Sequence, residues 1–208
     1  MMSDTGDILK DAWHRNAQAR QRLQELAVRS VPVPKVMEYA KRLGLEVDRE
    51  LAQVGDAELA YAFDLAIYAA LPGRSRAIDR VARQHARLRG EAAAVLNALT
   101  ASWFSVFRVL GTHPDTGWLL EDVLLGGEVW VVDLGLSENV EQGSVFATRL
   151  GRVAGYAITC GVMAVLDEAI LANIRGAASH AGFDPGELAS DVRFTESLWR
   201  RALGFGSV

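Results

Sequence analysis

Residues 118–133 have the sequence WLLEDVLLGGEVWVVD, and this stretch decides the fold class of the chain. Large aromatic, β-branched and other apolar side chains, which suit a half-buried strand, stand on both sides of Gly126-Gly127. Glycine reaches positive φ without steric cost, so the glycine pair predicts a hairpin turn. The stretch therefore predicts two strands, 118–124 and 128–133, joined by a tight turn.

Strand patterns continue on both sides of this hairpin. Residues 103–109 are aromatic and β-branched, and Asp115-Thr116-Gly117 is a turn signal before the next strand. Two further strands are predicted at 143–150 and 155–163. Short strands at such close spacing are typical of a small antiparallel, barrel-like sheet, because closure removes exposed strand edges. We therefore predict a five-stranded antiparallel β-module.

Helical spacing of apolar residues surrounds the β-module. The period is close to 3.6 before Ala101 and returns near Ala164, with Thr195 as the expected cap of the last helix. We therefore predict an α+β protein with three segments. They are an N-terminal helical part over residues 1–101, the barrel-like β-module over 102–163, and C-terminal helices over 164–208 that pack on the whole.

The β-module resembles a recurring group of uncharacterised bacterial proteins. The resemblance rests on residues 105–109 (SVFRV), 119–129 (LLEDVLLGGEV), 142–149 (QGSVFATR) and 155–161 (GYAITCG), and it extends from about residue 63 to 165. It implies a helical segment followed by a small β-module. Some proteins of this group carry a cysteine-rich, metal-binding tail of the SEC-C type. The C-terminal third of this chain has no cysteine cluster, so no zinc-dependent role is carried over.

Composition indicates an ordinary globular protein. The chain has 208 residues, of which 50% are hydrophobic and 23% charged, and its net charge of −4 does not suggest a polyanion as partner. The N-terminal residues lack a signal-peptide pattern, and no run of about 18 apolar residues predicts a membrane span. We expect a cytoplasmic protein without membrane contact.

No sequence pattern points to a catalytic residue, a cofactor or a metal. Motifs for phosphate binding, nucleophile elbows, zinc proteases and dinucleotide binding do not occur, and the four histidines have no metal-ligand spacing. A single cysteine, Cys160, excludes an intramolecular disulfide and a cysteine-cluster zinc site, and its apolar surroundings predict a buried, inert thiol. An unrecognised enzyme would need a concave pocket in which polar side chains converge.

Asp64 lies in an otherwise apolar helix that begins near Asp56. A buried carboxyl group has a raised pKa and could take part in proton transfer. The alternatives are that Asp64 pairs with an arginine or points outward at the edge of the helix.

The leading functional hypothesis is a non-catalytic module that binds another protein or senses a small ligand. Loops on a rigid scaffold carry function more often than the scaffold does, which favours loops 111–117 and 134–142 of the β-module. Within them, His113 and Asp115 are candidate binding residues, together with Trp118 directly after the turn. The C-terminal helix is rich in apolar residues, which fits either a homo-oligomer contact or packing on its own domain.

An arginine-rich segment gives the second hypothesis, nucleic-acid binding. A helix is predicted from about Arg74 to Arg89, and one side of it would carry Arg76, Arg80, Arg83 and Arg87 as an anion-contacting face. The alternative is a solvated face whose arginines pair with carboxylates. The β-module has three arginines against seven acidic residues, which argues against nucleic acid on its surface.

Nucleic-acid binding through this face predicts an affinity that falls steeply as salt is added, since arginine contacts to phosphate release counterions. A mobility-shift assay with DNA and RNA at low salt measures it. Unchanged mobility at low salt would eliminate the hypothesis.

Overall fold

The computed structural model describes residues 3–47, 54–70, 73–136, 140–181 and 184–205. The helices before the sheet are α1 (Ser3–Arg29), α2 (Val33–Arg42), α3 (Asp56–Tyr68), α4 (Ala77–Gln84) and α5 (Gly90–Thr100). The strands are β1 (Trp103–Thr112), β2 (Trp118–Asp122), β3 (Glu128–Val131), β4 (Val145–Val153) and β5 (Tyr156–Leu166). The helices after the sheet are α6 (Glu168–Ala181), α7 (Pro185–Ser190) and α8 (Val192–Ala202). The predicted α+β class is confirmed.

The five strands form a mixed sheet, so the prediction of a purely antiparallel sheet is wrong. Their hydrogen-bonded order is β1-β2-β3-β5-β4, and β4 pairs in turn with β1. All pairs are antiparallel except β3 with β5, where Val131 lies opposite Ala157. A ring with an odd number of strands cannot alternate direction all the way round. One parallel pair is therefore unavoidable once the order returns to its first strand.

Gly117 shows how tightly the β1–β2 turn lies against β3. Its φ is +82°, and a Cβ at this position would overlap the carbonyl oxygen of Val131. Glycine satisfies both constraints, because it has no Cβ and tolerates left-handed geometry. The turn signal recognised at 115–117 thus also permits a close backbone contact.

Two groups of buried apolar side chains hold the fold together. The smaller one lies on one face of the sheet and includes Phe107, Leu120, Val131 and Phe146. The larger one lies between the sheet and the helices and draws on residues of all three predicted segments, namely Leu23, Leu65, Phe104, Cys160 and Trp199 among others. Phe104 and Phe107 belong to different groups because side chains three apart on a strand point to opposite faces. The division at residues 101 and 163 stays a prediction.

Three predicted boundaries differ from the structure. Strand β5 continues to Leu166, which pairs with Val145, so helix returns at Glu168 rather than near Ala164. Helix α4 ends at Gln84 and does not extend to Arg89. Asp191 rather than Thr195 caps α8, because its carboxylate accepts the backbone N–H of Arg193.

In the part of the chain that the structure describes, no helix combines the length and the apolar character that crossing a membrane requires.

Replacing Gly151 by alanine should destabilise the protein by about 1–3 kcal/mol, the usual cost of overpacking. A Cβ on Gly151 would lie 2.5 Å from the carbonyl oxygen of Ala98 in α5 and 2.9 Å from the sulfur of Cys160. Gly155→Ala is the matched control, since nothing lies within 4 Å of a Cβ there. Urea unfolding measures both variants, and equal midpoints would contradict the close contact of β4 with α5.

Candidate functional site

A cleft lies between α1 and α3, with β5 as its floor. Its volume is about 710 Å³, within the range of ordinary ligand sites. Apolar side chains supply most of its walls and floor: Trp13, Ala17 and Val28 from α1, Ala60, Phe63 and Ile67 from α3, and Val162 from β5. Polar groups of α1 and α3 converge beside this apolar surface.

A stripe of polar residues on α1 faces β5. Asn16, Arg20 and Gln24 are spaced four apart, so they lie on one side of the helix. Asn16 donates a hydrogen bond of 2.9 Å to the hydroxyl of Tyr156. Gln24 donates to the carbonyl oxygen of Cys160 at 2.6 Å and to the hydroxyl of Tyr68 at 3.2 Å. We call these three residues the α1 polar stripe.

Arg20, the middle residue of the α1 polar stripe, joins α1 to β5 and to the segment that follows β3. Its guanidinium donates to the carbonyl oxygen of Thr159 and, at 2.9 Å, to the hydroxyl of the same residue. It lies 3.7 Å from the carboxylate of Asp133, which also accepts a hydrogen bond from the Thr159 hydroxyl. Because these groups satisfy one another, this end of the cleft is held rigidly.

Asp64 is the buried acid of the site. Its Oδ2 accepts a hydrogen bond of 3.1 Å from the indole of Trp199. Its Oδ1 lies 3.8 Å from Nε of Arg149, an ion pair too long for a hydrogen bond, and has no hydrogen-bond partner. A Cβ on Gly161 would lie 3.0 Å from Oδ1, so the absence of a side chain there leaves room for the carboxyl group. Of the alternatives that the sequence left open for Asp64, the structure shows burial beside an arginine rather than an outward position at the helix edge.

Burial controls the acid–base properties of this region. It raises the pKa of Asp64, while the positive charge of Arg149 and the Trp199 hydrogen bond act in the opposite direction. Burial also raises the pKa of the Cys160 thiol to about 12. That thiol is protonated at neutral pH and is not a nucleophile. Among the described residues, no three His, Cys, Asp or Glu side chains come close enough to hold a metal ion.

Of the binding residues predicted from the sequence, His113 and Asp115 lie in the β1–β2 turn and Trp118 is the first residue of β2. None of them lines the cleft. His113 stacks on Trp130 with ring centroids 4.0 Å apart, and its Nδ1 lies 3.9 Å from the exposed carboxylate of Asp115. Trp118 is half-buried, and its indole N–H is buried without a hydrogen-bond partner. The structure thus brings His113 and Asp115 together, and their binding role stays a prediction. Of the second predicted loop, residues 137–139 lie outside the described residues.

The four arginines of the predicted anion-contacting face have different surroundings. Arg76 pairs with Asp79 at 2.6 Å and donates to the carbonyl oxygen of Thr100. Arg80 and Arg83 donate to the backbone carbonyl and the hydroxyl of Ser75, respectively. Arg87 is exposed beyond the end of α4. They do not lie on one continuous helical face, and their contact with anions stays a prediction.

The sequence drew attention to Asp64 but not to the other polar residues of the cleft. The spacing of Asn16, Arg20 and Gln24 was a usable signal, since three polar residues four apart on one helix can face a common partner. Arg149 gave no such signal, because a strand residue does not reveal which helix covers it.

Comparison with protein families gives a match over residues 15–179 to a family of unknown function, DUF7986. The chain belongs to this family. The DUF7986 region contains Arg20, Gln24, Asp64 and Arg149, whereas Trp199 follows it. Neither the curated proteins nor the solved structures yield a match to this chain. An uncharacterised family agrees with the predicted resemblance; its bacterial origin and its link to SEC-C tails stay predictions.

The raised pKa of Asp64 predicts a pH-dependent difference between the protein and its Asp64→Asn variant. A carboxyl group whose pKa is higher in the folded state stabilises the fold most at low pH, and the effect is lost as pH rises through the folded pKa. The unfolding free energy of the wild type relative to Asp64→Asn should therefore fall as pH increases above about 4. Urea unfolding from pH 4 to 8 measures the slope.

Asp79→Asn is the control for this experiment, since Arg76 lowers the pKa of Asp79. The stability of the wild type relative to Asp79→Asn should change in the opposite direction and be lost as pH falls. A stability difference for Asp64→Asn that is flat or increases with pH would show that the charge of Arg149 outweighs burial.

Proposed function

We propose that this DUF7986 protein binds a small ligand in the cleft between α1, α3 and β5 and acts as a sensing module without covalent chemistry. The observation that carries the proposal is the buried Asp64, whose Oδ1 lacks a hydrogen-bond partner at a cleft of about 710 Å³. An unsatisfied buried polar atom costs about 1–3 kcal/mol. Because Oδ1 is itself buried, a ligand recovers part of that cost only by displacing the groups that cover this oxygen.

The lining of the cleft suggests the class of ligand. Trp13, Phe63 and Ile67 offer apolar surface for a flat or branched apolar body. The lining carries equal numbers of basic and acidic side chains, namely Arg20 and Arg29 against Glu25 and Asp64. A neutral molecule with an apolar body and one N–H or O–H group directed at Asp64 therefore fits better than a multiply charged one.

The sheet would serve as the scaffold of this site. We propose that the closed strand order acts as a barrel-like support that holds β5 in place beneath the two helices. Arg20 and Gln24 join α1 to β5 through Thr159 and Cys160, which keeps the cleft preformed. A preformed site loses less conformational entropy on binding. We also propose a bacterial, cytoplasmic setting. Homo-oligomer formation through α8 would use its exposed side, because Leu198 and Trp199 are buried in the core of their own chain.

A matched pair of probes tests the ligand class. Naphthalene-2-carboxamide carries an N–H donor, and methyl 2-naphthoate is similar in size and has none. In two-dimensional ¹H–¹⁵N NMR titrations the carboxamide should shift the amide signals of Gly161 and Val162 and bind at least about fivefold more tightly than the ester. A neutral hydrogen bond contributes about 1 kcal/mol, which corresponds to this factor.

Two tryptophan substitutions on α3 locate the binding. Ala60 is half-buried and lines the cleft, so Ala60→Trp should obstruct the apolar wall that the probe contacts and abolish the shifts. Ala57 is exposed on the same helix and does not line the cleft, so Ala57→Trp should bind like the wild type. Equal affinities for the two probes, or unchanged binding by Ala60→Trp, would refute the proposal.

A further inference from the structure

A second cavity is lined by Arg149, the ion-pair partner of Asp64. Its volume is about 320 Å³, and it is formed where β1, β4 and the end of α3 meet α7 and α8. Its apolar surface comes from Leu65, Trp103, Phe104 and Val192, and its charged groups are Arg76 and Arg149. We call it the Arg149 pocket.

Arg149 has almost no polar partner for its charge. Only 11% of its side chain is exposed, and its Nε is buried without a hydrogen bond. Its guanidinium lies above the ring of Tyr68, 4.4 Å from the centroid, and 5.7 Å from that of Phe104. The ion pair with Asp64 is long, at 3.8 Å, and burial raises the pKa of that carboxyl group. A buried arginine normally satisfies its donors with carboxylates or carbonyls, so this one lacks an acceptor.

The other arginine in the pocket already has its counter-ion. Arg76 forms an ion pair with Asp79 and donates to the carbonyl of Thr100, which uses its charge and its Nη2 donor. Of the two arginines in the pocket, only Arg149 therefore has a positive charge available to pair with a ligand. A single guanidinium matches a single carboxylate in charge and, through two parallel N–H donors, in shape.

We propose that the Arg149 pocket binds a small organic monocarboxylate, with the carboxylate on Arg149 and the apolar body against Phe104 and Val192. Aromatic and aliphatic walls favour an organic acid over an inorganic anion, which would leave them facing water. This site is separate from the proposed cleft, because its lining includes none of the cleft residues.

Benzoate and its neutral analogue benzamide are the probes that test this site in the full chain. In ¹H–¹⁵N titrations at low chloride, benzoate should shift the amide signals of Ser102 and Ser190, which line the pocket. Benzamide should leave these two signals unchanged. Shifts of Gly161 and Val162 report the cleft instead, so failure at one site is distinguishable from failure at the other.

Two variants assign the binding to the pocket and to the charge. Ala189 is a half-buried residue of the pocket lining on α7, so Ala189→Trp should abolish benzoate binding, whereas Ala202→Trp on the exposed side of α8 should not. The double variant Asp64→Asn/Arg149→Met removes both buried charges together and should weaken benzoate at least about tenfold, as expected for a hydrogen bond to a charged group. Equal response to benzoate and benzamide, or binding retained by Ala189→Trp, overturns the proposal.

Discussion

The cluster of Asp64, Arg149 and Trp199 is the point at which all three predicted segments of the chain meet. Asp64 comes from the N-terminal helices and Arg149 from β4, and Trp199 of α8 donates to the same carboxyl group. Charges taken out of water are costly, and removing one partner of a buried pair commonly costs about 3–5 kcal/mol. At 3.8 Å and without a hydrogen bond this pair is long, so the Trp199 hydrogen bond and the apolar contacts around it share in fixing how the segments meet.

The odd number of strands in the sheet is the second constraint on the fold. An odd number of strands in a closed order requires one parallel pair, and the short contact between Val131 and Ala157 supplies it. A parallel pair cannot be joined by a tight turn, so the chain must leave β3 and return through β4 before it reaches β5. This route places β5 beneath α1 and α3, where its residues 159–162 become available to the cleft.

Local sequence signals predicted the strands and helices well, since each depends on neighbouring residues. Gly126-Gly127 marked its turn because φ is positive at both positions. The parallel pair could not be predicted from spacing alone, although counting the strands of a closed ring would have required it. The cleft was not predicted because it combines residues 13–29, 60–67 and 161–162, whose proximity depends on packing. Asp64 was noticed as an acid in an apolar helix, but Arg149 became its partner only through the contact of β4 with α3.

The position of this ion pair gives it a further consequence, since Asp64 lines the cleft and Arg149 lines the second cavity. An anion that draws the guanidinium away from Asp64 removes positive charge from beside that carboxyl group. The carboxyl group then holds its proton more firmly, which changes whether it accepts or donates a hydrogen bond at the cleft. Because linkage is reciprocal, a cleft ligand that stabilises the charged form of Asp64 would weaken anion binding at Arg149 by the same factor. Under the two proposals above, this buried pair couples the cleft and the Arg149 pocket without requiring any movement of the sheet.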